Sequence, residues 1–379
     1  MAAPSLAQDT TRYEYQSDII DVLTPKSKKG KRDDSAAVAP GKLQFSALPV
    51  IGYQLQTGFL GGVTGNMAFR KANSKVSNVP VTFAYTAKNQ TIFYILPNIW
   101  SKDNTYNITG EFGYLHFPQF TYGIGPRSSL NDSVRIDYTQ VRVDGTVMRK
   151  IRENVFAGAG YILDYYYGIK VLSNSDLATR YPDFPLAAPT VSSGLTFSFL
   201  FDDRANSINP LDGSFVNVMY RPYLEAFGST SNWQSLLIDL RKYIPFPRNS
   251  GNTIALWSYN WLTLSGKPPY NNLPGTGFDN GGNTGRGYIQ GRFRGTNMVY
   301  LESEYRFKLL RNGLLGGVVF VNGQSVNSVP GTGLGPMQPG YGAGLRVKLN
   351  KYSSTNVAID YGLGNAGSRG FFLGVCEVF

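Results

Sequence analysis

The sequence predicts an all-β protein, a sixteen-stranded antiparallel transmembrane β-barrel. Three observations lead there. Among 379 residues, 14% are aromatic and only 16% are charged, with 25 Tyr, 23 Phe and 43 Gly. Mean hydropathy is -0.19, and no run of about 18 uninterrupted apolar residues occurs, which excludes a helical membrane protein. From Leu43 onward, short segments of alternating character are separated by turn residues. Only every second residue of a barrel strand faces lipid, so high aromatic and glycine content with weak mean hydropathy is the composition of such a barrel.

Residues 1–42 differ from everything that follows and read as an N-terminal periplasmic tail ahead of a barrel domain at 43–379. Ile19, Ile20, Val22 and Leu23, flanked by Asp18 and Asp21, suit one or two amphipathic helical turns before Pro25. Lys26, Lys28, Lys29, Lys31 and Arg32 follow, then small residues to Pro40. That composition describes a solvated, partly disordered segment. Residues 9–40 as a plug, or as a docking peptide for a separate protein partner, is the competing reading.

Strands are expected at 44–54, 57–70, 79–88, 90–101, 105–117, 133–150, 154–170, 189–204, 214–227, 232–245, 252–265, 296–310, 313–324, 338–350, 354–364 and 369–379. Lengths of this order suit tilted membrane crossings with extensions beyond the bilayer. The longest connections, 118–132, 171–188 and 266–295, all follow odd-numbered strands and so emerge on one side. Alternation is clearest at 298–309: Val299, Leu301, Tyr305, Phe307 and Leu309 oppose Glu302, Glu304, Arg306 and Lys308. Tyr161, Tyr165 and Tyr167 read as an interfacial girdle. The last strand, with Phe371, Leu373, Val375 and Phe379 on one face, is expected to close the cylinder, since a free edge this apolar would aggregate.

The connection 266–295 is the sixth on its side and the longest. It holds glycines and prolines throughout, and Arg286, Arg292 and Arg294 in its last third. Loops of that length are functional or disordered.

Four places in the chain resemble the superfamily of sixteen-stranded barrels that includes BamA, TamA and the two-partner secretion transporter FhaC. They are Pro49-Val50-Ile51-Gly52-Tyr53; Asp202-Asp203-Arg204 with Asn209-Pro210-Leu211-Asp212-Gly213; Gly285-Arg286-Gly287-Tyr288; and Glu304-Tyr305-Arg306 with Val319-Phe320-Val321-Asn322-Gly323. The resemblance implies that the sixth extracellular loop folds into the lumen and is anchored there. Arg286 would meet Glu304, flanked by Gly285, Gly287 and Tyr288, while Asn322 stands where the family has an aspartate. At most 42 residues precede the barrel, which resembles the subgroup without N-terminal POTRA domains.

The function implied is non-enzymatic: insertion or translocation of proteins or lipids in the bacterial outer membrane of a Gram-negative cell. A lateral seam would run between the first and last strands, ending at Phe379 and weakened by Pro49 and Gly52 on one side and Gly370 and Gly374 on the other. A passive or plugged pore, and a barrel subunit that works with a separate periplasmic partner, are the alternatives. The net charge of +11 fits outer-membrane lipids and lipopolysaccharide. No nucleic-acid motif is present, and oligomeric state is not encoded in any motif.

No catalytic residue, metal site or cofactor is expected. His116 is the one histidine, and a base needs a positioned nucleophile and orienter. Cys376 is the one cysteine, so no intramolecular disulfide forms, and it reads as a small packing residue on the last strand. The 281–287 glycines lack the strand-to-helix context of a phosphate loop.

Overall fold

The computed structural model describes residues 16–23, 41–172, 184–328, 331–351 and 354–379. Sixteen antiparallel strands form one closed barrel. They are β1 (Leu43–Gln54), β2 (Gly58–Arg70), β3 (Val76–Thr86), β4 (Thr91–Ile95 with Asn98–Trp100), β5 (Tyr106–His116 with Gln119–Thr121), β6 (Val134–Arg152), β7 (Val155–Val171) and β8 (Thr190–Asp202). The second half comprises β9 (Gly213–Tyr223), β10 (Trp233–Pro245), β11 (Thr253–Gly266), β12 (Asn297–Lys308), β13 (Leu315–Val326), β14 (Gln338–Asn350), β15 (Thr355–Gly364) and β16 (Arg369–Val375). β4 and β5 are each interrupted where Pro97 and Pro118 withhold a ladder N–H. No helix among the described residues is long and apolar enough to cross a membrane.

The barrel is inside-out relative to a soluble sandwich. On β12, Leu301 is 48% exposed, whereas Glu302 and Glu304 are 4% and 1% exposed. Val319 and Val321 on β13, Tyr341 and Leu345 on β14, and Phe371 and Val375 on β16 are likewise exposed. An apolar outer band with charges turned inward is stable only where lipid is the outer solvent, and closure satisfies the backbone there.

The long connections leave the upper ends of β5, β7 and β11, on one side as expected. Opposite them lie the shorter links, the longest of which is 203–212. β9 ends at Tyr223, short of the expected 227, because Glu225–Phe227 forms a 3-10 turn closed by Gly228 in the left-handed region.

β16 also ends early. Cys376 adopts φ 78, so the chain leaves the sheet after Val375 and turns inward instead of continuing to Phe379. Cys376 is therefore a half-buried turn residue, not a strand residue.

At the lower rim a five-residue helix, α1 (Ile19–Leu23), is held by a reciprocal box: Asp21 N donates to Asp18 and Asp18 N to Asp21. Lys351 ties it to the barrel, with Nζ 3.0 Å from Asp21 Oδ2 and its backbone N donating to Asp18. Ser17 N donates to Asn312 O, so the segment rests on the β12–β13 and β14–β15 turns. The rest of the segment expected to act as plug or docking peptide lies outside the described residues.

Candidate functional site

The site is built from the 267–296 connection between β11 and β12. Its ascending limb contains one 3-10 turn, Tyr270–Asn272, and its two limbs pair at a bridge between Gly275 and Arg294, with backbone bonds from Thr276 N to Phe293 O and from Gly295 N to Pro274 O beside it. Asp279 organises the tip, its carboxylate accepting from the backbone N of Gly281, Asn283 and Thr284. Gly285 (φ 80) and Gly287 (φ 103) then turn the chain on either side of Arg286. That conformation strains any residue with a Cβ.

Arg286 is 2% exposed. Its guanidinium lies 3.7 Å from the centroid of the Phe320 ring. It donates to Glu302, to Glu304 Oε2 at 2.5 Å and to Asp360 Oδ2 at 2.8 Å. The partner expected from the sequence, Glu304, is therefore one of three. Glu302 shares β12 and its inward face, and Asp360 comes from β15. Asn322 contributes no charge. Its Nδ2 donates to the Arg286 carbonyl at 3.0 Å, holding the loop backbone instead of the guanidinium.

These contacts belong to a closed ring of alternating charge. Asp360 Oδ1 meets Arg346 at 2.5 Å, and Arg346 Nε meets Glu377 Oε2 at 2.7 Å. Glu377 lies 3.8 Å from Arg306, whose Nε is 2.5 Å from Glu304 Oε1. Glu304 returns to Arg286. Glu302 stands outside the ring, bonded to Arg286 and to the Tyr300 hydroxyl. Every buried guanidinium here faces carboxylates, the arrangement that offsets the cost of desolvating it.

The glycine-rich inner faces of β14 and β15 seat the loop tip. A Cβ on Gly362 would lie 2.6 Å from Gly287 N, and one on Gly364 2.5 Å from the Tyr288 ring. Tyr288 is fixed at both ends of its hydroxyl, donating to Pro339 O at 2.6 Å and accepting from Asn365 N at 2.7 Å. Gly364→Leu is expected to lift Tyr288 off this seat and destabilise the loop by roughly 1–3 kcal/mol, the cost of overpacking. Limited proteolysis within 267–296 checks this, and wild-type resistance would exclude a seating role.

The other two arginines of the loop serve its base. Arg294 donates to Tyr270 O at 2.5 Å, and Arg292 donates to Ser128 O at 2.7 Å. Asn272 reaches the opposite wall, bonded to Asp164 of β7 and Ser192 of β8. His116 pairs with Asp137 at 3.4 Å near the top of β5 and β6. Among the described residues no group of His, Cys, Asp and Glu is arranged to hold a metal.

The first and last strands touch at a single register pair, Tyr53 opposite Leu373. On its other side β1 pairs with β2 from Leu43–Phe69 to Gln54–Gly58. Gly52 sits at the junction, where a Cβ would be 3.3 Å from Leu373 O. Gly370 lies under the Leu55 side chain, Gly374 faces open space, and Pro49 is exposed on the outer face of β1. Phe379 is not at the seam, contrary to expectation. Because the chain turns at Cys376, its ring stacks 4.9 Å from Trp257 of β11, and its carbonyl accepts from Arg306 at 2.8 Å. Val378 O accepts from Asn283 at 2.8 Å, so the C-terminal residues touch the loop directly.

Residues 69–363 match the Omp85 superfamily domain. The chain belongs to the Omp85 superfamily. This Omp85-superfamily barrel is an outer-membrane protein, and solved structures show the same fold. It is similar to BamA from Haemophilus ducreyi lacking POTRA domains 1–3, at 13% identity and TM-score 0.59, over 88% of this chain and 70% of that one. It is also similar to CdiB from Acinetobacter baumannii, at 13% identity and TM-score 0.57, over 88% of this chain and 59% of that one. CdiB from Escherichia coli matches at 10% identity and TM-score 0.59, over 88% of this chain and 62% of that one. The Omp85-superfamily barrel thus spans about three fifths of each CdiB chain. No curated protein matches the sequence.

Proposed function

We propose that this barrel is a non-enzymatic biogenesis protein that assists insertion or translocation of proteins or lipids through the seam between β1 and β16. The observation that carries this reading is the seam itself. It has one pair in register, whereas β15 and β16 pair from Val357–Val375 to Leu363–Arg369. Unpaired strand edges at membrane depth are costly, because lipid offers no hydrogen bonds. They also template a further strand, and an incoming segment that pairs with β1 satisfies both needs.

In this reading the 267–296 loop is a lumen-inserted constriction anchored by Arg286, with Gly285, Gly287 and Tyr288 shaping its tip and Glu302, Glu304 and Asp360 as its partners. It keeps the barrel from acting as an open pore. Reconstitution in liposomes tests the proposal by scoring insertion of a barrel substrate against leakage of a small solute. Insertion without leakage is expected. Leakage without insertion would replace the proposal with a passive pore. Insertion that appears only when a second, soluble periplasmic protein is added would assign the chain to a partner-dependent subunit.

A further inference from the structure

Between the 267–296 loop and the inner faces of β4–β7, β9 and β11 lies a chamber of about 250 Å³. Besides Arg142 Nε, which lies 3.3 Å from a Glu111 carboxylate oxygen, five buried polar atoms on its lining residues have no hydrogen-bond partner among the described residues: Gln119 Oε1, Gln290 Oε1, Arg221 Nε, Arg294 Nε and Trp261 Nε1. Gln119, Arg221, Arg294 and Trp261 are each at most 9% exposed. Unsatisfied buried groups cost roughly 1–3 kcal/mol each, so their convergence on one space calls for an occupant. The charged lining balances, with Arg142, Arg221 and Arg294 against Glu111, Asp164 and Asp279. Tyr94, Tyr223 and Trp261 add aromatic surface.

We propose that this chamber binds a neutral carbohydrate unit. Three of the five atoms are donors and two are acceptors, so the ligand must both accept and donate. Hydroxyl groups do both. A net charge is disfavoured, because the three guanidinium groups and three carboxylates of the lining already balance. Aromatic rings beside amides and guanidinium groups suit the C–H faces and hydroxyl edges of a sugar ring. The volume falls just under the roughly 300–1,000 Å³ of sites for drug-sized ligands, which fits one ring and not an extended chain. Below, the chamber adjoins a polar vestibule of about 860 Å³, with which it shares Glu111, Arg221 and Asn280. Above, it shares Gln56, Gln119 and Gln290 with a cavity of about 260 Å³ under the loops. The sugar can therefore be free in solution or be the end of a glycan chain.

The test is calorimetric titration of the full chain in a detergent without sugar headgroups. The probes are glucose, galactose, N-acetylglucosamine, glucose 6-phosphate and maltotetraose. Saturable binding of a neutral sugar is expected. Gln119→Leu and Trp261→Phe, which each remove one unpartnered polar atom, should weaken it about tenfold, the loss of one well-placed hydrogen bond. Trp261→Phe keeps an aromatic ring at this position and keeps the test decisive if Gln119→Leu disturbs folding. Binding of the monosaccharides points to a free sugar, and binding of maltotetraose alone points to a chain end; both uphold the proposal. No saturable heat with any neutral probe would mean that water alone fills the chamber and would overturn it. So would affinity unchanged in both variants, or a preference for the phosphorylated sugar.

Discussion

Arg286→Ala should destabilise the barrel by roughly 3–5 kcal/mol, the cost of removing one partner from a buried ion pair. The reason lies in what stays behind. Glu304 keeps Arg306, and Asp360 keeps Arg346. Glu302 keeps only the hydrogen bond from the Tyr300 hydroxyl and becomes an uncompensated buried carboxylate. The loop also loses its main tie to β12 and β15. Two readouts follow: a lower temperature for the loss of heat-modifiable mobility, and faster protease cleavage within 267–296. A double variant separates anchoring from a general packing defect. Arg286→Ala with Glu302→Gln removes the stranded charge and should recover part of the stability without restoring loop protection. Arg286→Lys should fall between wild type and alanine, because an ammonium cannot reproduce the forked guanidinium contacts. Melting and cleavage identical to wild type in Arg286→Ala would remove the anchor from the proposed mechanism.

The strands are legible in the sequence because they depend on local pattern, whereas Arg286 as loop anchor is implied only by the resemblance of Gly285-Arg286-Gly287-Tyr288 to the superfamily. On β12, Leu301, Tyr305 and Phe307 alternate with Glu302, Glu304, Arg306 and Lys308, and a period of two needs no tertiary information. The Gly285-Arg286-Gly287 triplet announces a sharply turned guanidinium. Asp360 was not legible as its partner. It sits alone between Ala358 and Gly362 on the inner face of β15, and it meets Arg286 only through the register of β12, β13, β14 and β15. The C-terminal turn was hidden more deeply. Phe371, Leu373, Val375 and Phe379 share one parity, so a continuous strand is the natural reading. The contrary signal is Glu377, a carboxylate at that same parity, which would face lipid if the strand continued. Turning at Cys376 places it against Arg346 and Asn356 instead.

Linking Tyr53→Cys to Leu373→Cys in a Cys376→Ser background should abolish insertion when oxidised and restore it on reduction. These positions are the one register pair of the seam, and directly opposite strand residues have Cβ atoms within reach of a disulfide. The matched control is Ile51→Cys with Gly61→Cys, register partners in the β1–β2 hairpin. Closing that hairpin fixes strands already paired along their length, so it should leave insertion unchanged. The effect of the seam crosslink should exceed that of any single ring substitution, because a covalent bond removes the opening outright. The ring makes a further distinction possible. Glu377 joins the charges that hold Arg286, and Val378 bonds to Asn283 of the loop. An opening that moves β16 outward must therefore also disturb the loop anchor. If the seam is the route, Glu377→Gln should raise insertion in the uncrosslinked barrel and have no effect once the seam is locked. Full insertion in the oxidised seam variant would instead place the substrate path in the lumen, past the loop.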